Sequence, residues 1–198
     1  MAISLVGLLV GLQTAVVFML ASMLLPMRIA LLIGLCAGLA ASMPRPAAGL
    51  TQPPLGGKSV LALALLMLIK LEALSEIEHE WNAIVLICST AWARCASLAA
   101  RTDAIANMAA TPLGSRLACL LIGMLPLLFF GVWPEPAWGL WLAALVTLIV
   151  GRLLPPSGWA APLIVRWVAA EVIYCISVVL LMSAAALAEF TDSEAEDS

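Results

Sequence analysis

The chain reads as seven apolar runs separated by short polar or proline-bearing breaks. The runs are Ile3–Leu25, Ile29–Met43, Val60–Leu74, Ala83–Ala100, Leu117–Trp133, Ala137–Leu154 and Ala160–Ala188. Proline and glycine mark the breaks at Pro26, Pro44 to Gly57, Pro112 to Gly114, Pro134 to Pro136 and Pro155 to Gly158, as expected of turns. A helix needs roughly 20 apolar residues to cross a hydrocarbon core about 30 Å thick. The pattern therefore predicts an all-α fold, a polytopic transmembrane helical bundle of about seven spans over residues 1–188. The second run is short and reads as a tilted or re-entrant partner of the first. No basic stretch precedes the first run, which is also longer than a signal-peptide core, so it is expected to be a retained helix. Residues 189–198 are acidic, lack apolar anchors and are expected to form a disordered tail.

Composition strengthens this picture. Apolar residues make up 64% of the chain and charged residues 11%, too few polar groups to cover a soluble domain. The net charge of −3 says little by itself, because the acids cluster at Glu72–Glu80 and in the tail. Nothing forms a basic nucleic-acid patch, so no nucleic-acid partner is expected. The cysteines, Cys36, Cys88, Cys95, Cys119 and Cys175, lie in apolar runs without a CxxC pair. They read as small buried residues, with no metal centre expected.

Lysine and arginine set the orientation. Arg45 and Lys58, Arg101 and Arg116, and Arg152 and Arg166 flank three connections that share the side of the N-terminus. The other side has Arg28, with Lys70 near the end of the third run. This bias predicts a cytoplasmic N-terminus and, with seven spans, an external C-terminus. Trp81, Trp133, Trp138 and Trp159 lie at run ends, where an amphipathic ring suits the headgroup region. The GxxxG spacings Gly7–Gly11 and Gly34–Gly38 predict close packing of the first two helices.

Charges within spans are costly and mark candidate sites. Counted from the cytoplasmic ends of their runs, Arg94 and Glu171 both lie about 10–15 Å deep at roughly 1.5 Å per residue. They are expected to pair, or to line a polar cavity open to the cytoplasm; the alternative is that Arg94 snorkels and Glu171 is locally bonded. With Lys58, Arg101, Asp103, Asn107 and Arg116 they make a mostly cationic set suited to an anionic phosphate or nucleotide. His79, among Glu76, Glu78 and Glu80, reads as a solvated loop residue. Gly56-Gly57-Lys58-Ser59 ends like a phosphate-binding loop, but Thr51 stands where its first glycine belongs, so only weak anion attraction at a helix start remains. No HExxH, Ser-His-Asp or paired-carboxylate motif is present.

Several stretches resemble the cobalamin synthase family, the adenosylcobinamide-GDP ribazoletransferases. Ser4 to Leu12, SLVGLLVGL, continuing through Leu25-Pro26 to Leu39, is similar to that family's first membrane helices. Gly56 to Leu74 resembles its glycine-led helix ending in Lys-Leu-x-x-Leu. Ser89 to Arg94 resembles its Ala-Pro-x-x-x-Arg segment, and Ala170-Glu171-Val172 its Thr-Glu-Val. The resemblance implies a membrane enzyme that joins adenosylcobinamide-GDP to α-ribazole, releases GMP and uses magnesium. The chain is a shortened and divergent version. The family's Gly-, His- and Asp-rich loop is reduced to Ser42–Leu55, without Asp, Glu or His, and Ala161 stands at an expected aspartate. Transfer from a diphosphate needs a divalent ion and carboxylates to hold it, and those ligands are missing.

Three functions follow as expectations. The first is a cobalamin-synthase-like protein binding an anionic nucleotide or corrinoid. The second is a non-catalytic membrane subunit or scaffold packed against other membrane helices. The third is a small transporter, disfavoured by the lack of an internal repeat or a broken helix pair.

Overall fold

The computed structural model describes residues 2–42, 56–99, 113–130, 137–153 and 163–196. These residues form seven helices and no strand: α1 (Ala2–Ser22), α2 (Met27–Ser42), α3 (Gly57–Ser75), α4 (His79–Ala99), α5 (Leu113–Phe130), α6 (Ala137–Leu153) and α7 (Leu163–Glu196). All seven apolar runs correspond to a helix. Several helices begin before their run does, α4 at His79 rather than Ala83 and α5 at Leu113 rather than Leu117. A helix is bounded by backbone capping and turn geometry, not by where apolarity begins.

Tight turns set the hairpins. Between α1 and α2 the Leu25 N–H donates to the Ala21 carbonyl at 2.9 Å, and the Pro26 carbonyl accepts from Ile29 and Ala30. Proline thus ends one helix and opens the next. Between α3 and α4 the buried Asn82 amide donates to the Ile77 carbonyl at 3.2 Å. Contacts across the bundle show an alternating arrangement. Near one end, Arg94 of α4 meets Ser42 of α2 and Trp167 of α7. Near the other, His79 of α4 meets Phe18 of α1 and Met27 of α2, and Arg28 pairs with Glu72.

Helix α4 is the central element and packs on α1, α5, α6 and α7. Its residues Ala91, Trp92, Ala93, Arg94 and Cys95 are all buried, because neighbours cover its whole circumference. Trp92 Nε1 donates to the Ala144 carbonyl of α6 at 2.9 Å, and Tyr174 of α7 donates to the Leu140 carbonyl at 3.2 Å. Both glycine spacings mediate close approach, but not only between α1 and α2. A Cβ on Gly34 would come within 3.0 Å of Phe18 Cβ, so that pair packs on α1. A Cβ on Gly11 would come within 3.1 Å of Ile87 Cα, so Gly7 and Gly11 serve α4 instead.

The outward faces are apolar. Leu9, Leu20, Leu61, Leu68, Phe129 and Leu145 are exposed, while Lys70, Arg94 and Glu171 are buried. Among the described residues two helices, through Leu5–Ser22 and Ile164–Ala186, are long and apolar enough to cross a membrane; α2 and the Trp138–Val150 stretch of α6 are apolar but shorter. Helix α7 corrects one expectation. It has 34 residues, about 51 Å at 1.5 Å each, and continues through the acidic stretch to Glu196. The expected boundary at Ala188 falls inside a helix, because alanine, leucine and glutamate there favour helix whatever their polarity.

Candidate functional site: charges inside the bundle

Helix α3 turns Leu63, Lys70 and Leu74 to the interior, positions seven and four residues apart on one face. On α7 the buried positions Val168, Glu171, Cys175 and Val178 follow the same helical spacing. Each charge therefore sits on an apolar stripe that faces the other helix. The two meet: Lys70 Nζ donates to Glu171 Oε2, with Lys70 only 2% and Glu171 7% exposed. An isolated charge at a span centre costs on the order of 3 kcal/mol on insertion scales, and a partner offsets part of that.

The expected pair between Arg94 and Glu171 is therefore corrected. Arg94 is 1% exposed, so it does not snorkel. Its Nη2 donates to Ser42 Oγ at 2.6 Å, and its guanidinium stacks on the Trp167 ring at 5.0 Å from the centroid. Ser42 Oγ in turn donates to the Gly38 carbonyl at 2.7 Å. Gly7 lets the α1 backbone pass over the arginine stem, where a Cβ would stand 3.0 Å from Arg94 Cδ. Arg94 thus ties the end of α2 to α4 and α7.

A small cavity lies beside the Lys70–Glu171 pair, and Arg94 does not line it. Thr14, Ser42, Lys70, Thr90 and Glu171 line a cavity of about 20 Å³, the room of one water. Ser42 links the two charged elements, because it lines this cavity and accepts from Arg94. Among the described residues this cavity is too small for a nucleotide. Lys58 stands exposed on the first turn of α3. Gly56 and Gly57 beside it are open, and the N-cap makes no side-chain hydrogen bond. Arg116 lies on α5, without a described side chain; Arg101, Asp103 and Asn107 lie outside the described residues. His79 is exposed, with its ring 5.6 Å from that of Phe18.

The donor set does not suit magnesium. Glu171 is the one buried carboxylate among the described residues, and Lys70 already neutralises it. No cluster of three or more His, Cys, Asp or Glu side chains occurs among those residues. Magnesium binds through carboxylates and substrate phosphates in octahedral geometry, and a carboxylate held by an ammonium is a poor ligand.

Ordinary periodicity locates Lys70, because it falls in register with Leu63 and Leu74. Its distance from the run end had instead suggested a residue near the surface. Ser42, Thr14, Thr90 and Trp167 carry no such signal, since uncharged residues in an apolar run do not stand out by type. No family model matches the chain, and no curated protein or solved structure matches it.

Proposed function

We propose that this chain is a polytopic membrane protein, all seven helices crossing one bilayer, that acts as a scaffold binding an anionic, phosphate-bearing ligand. The reading rests on one observation. Lys70, Arg94 and Glu171 lie in three of the stretches that resemble cobalamin synthase and are the three charged residues most deeply buried among those described; Lys70, Glu171 and Ser42 line one cavity, and Ser42 accepts from Arg94. Polar groups gathered inside an apolar exterior suit a bilayer better than water. In this reading the short apolar lengths of α2 and α6 are accommodated by local thinning of the bilayer around them.

With seven crossings, the sequence positions Arg45, Lys58, Arg101, Arg116, Arg152 and Arg166 would share one side. That side is cytoplasmic by the positive-inside rule, in a bacterial inner membrane. Cations at the ends of α2 and α4 supply the anion's counter-charge. The family's transfer step is not part of the reading, because the carboxylates that hold its metal are missing. The test is equilibrium binding of adenosylcobinamide-GDP and of GMP to protein reconstituted in liposomes. Binding that weakens tenfold or more in Arg94→Gln, without GMP release on adding α-ribazole, is the expected result. Release of GMP would make the chain a transferase, and no binding of either compound would remove the ligand reading.

A further inference from the structure

Helix α1 carries an exposed stripe that the bundle leaves uncovered: Val6, Leu9, Gln13, Val16 and Leu20. The spacings are three, four, three and four residues, the 3.5-residue repeat of a two-helix seam. Thr14, Lys70, Thr90, Thr147 and Glu171 turn inward, whereas Gln13 faces outward at the twelfth of the 21 positions of α1. It makes no hydrogen bond to the described residues. In the bilayer reading above, on which this inference rests, its amide stands near the membrane midplane with no water to satisfy it.

From this we infer that α1 is a self-association surface, and that a second copy of this chain covers it with Gln13 meeting Gln13. The complementarity is electrostatic: a primary amide presents a donor and an acceptor, so an identical amide satisfies both. Copies of one membrane protein share an orientation, which makes the two α1 helices parallel. A two-fold axis along the membrane normal then brings equal depths together. The stripe supplies the surrounding seam, with Leu9 and Val16 flanking the amide on either side.

Sedimentation equilibrium in density-matched detergent tests this, with liposome flotation of the same preparations as a separate readout. The wild type is expected to show a monomer–dimer equilibrium. Gln13→Leu keeps an apolar, lipid-compatible face but loses the hydrogen bonds, and should raise the dissociation constant about 3- to 30-fold. Gln13→Asn should retain most of the association, and Leu68→Ala, exposed on α3 away from the seam, should leave it unchanged. A monomeric wild type, or dimers unaffected by Gln13→Leu, would overturn the inference. Protein that floats with liposomes yet stays monomeric removes only the dimer, whereas protein that does not float removes the bilayer reading itself.

Discussion

Glu171 is held by Lys70 across α3 and α7, while Arg94 on α4 turns to Ser42 and Trp167. Breaking a buried pair on one side strands a charge, so Lys70→Ala and Glu171→Ala should each cost about 3 kcal/mol. The double variant Lys70→Met/Glu171→Leu should recover much of that loss. In double-mutant cycles on unfolding in mixed micelles, the Lys70–Glu171 coupling should reach about 1 kcal/mol or more and exceed that of Arg94 with Glu171. The reverse order would return Glu171 to Arg94.

Gly38 faces Thr14, whose side chain occupies the place a Cβ on that glycine would take. Gly38→Ala should therefore push α2 away from α1 and cost about 1–3 kcal/mol. Adding Thr14→Ala frees that space and should restore part of the loss, read as thermal unfolding by circular dichroism. Gly57→Ala has open space around it and should be nearly neutral.

Ser42 connects the guanidinium of Arg94 to the α2 backbone. Ser42→Ala removes one acceptor and should cost about 1–2 kcal/mol, in the lower range for a bond to a charged group. Ser42→Thr keeps the hydroxyl and should cost less. If both substitutions leave stability and ligand affinity unchanged, the bond between α2 and α4 is incidental.

Much of the fold is legible from periodicity, because each apolar run is long enough to be a helix and too apolar for a loop. What the pattern does not carry is which neighbour each face selects. Gly7 and Gly11 announce close packing, yet only three dimensions assign them to α4 rather than α2. At the site, residue type and depth single out Arg94 and Glu171, but depth alone pairs the wrong two residues. Lys70 is the better partner because its α3 stripe packs on α7, a relation between faces that run lengths do not contain. The acidic end of α7 shows the converse error: polarity argued for disorder where helix propensity prevailed.

Crossing of one bilayer by all seven helices underlies both the ligand reading and the dimer. Its most direct measurement is labelling of single introduced cysteines with a membrane-impermeant thiol reagent in intact cells, in a background with Cys36 replaced by serine. Thr111→Cys lies between α4 and α5 on the basic side, and Ser193→Cys lies near the end of α7. Seven crossings predict that the Thr111 position is shielded until the cells are permeabilised, while the Ser193 position labels at once. Equal accessibility of the two positions would contradict the seven-span arrangement, and immediate labelling at Thr111 with protection at Ser193 would invert its orientation.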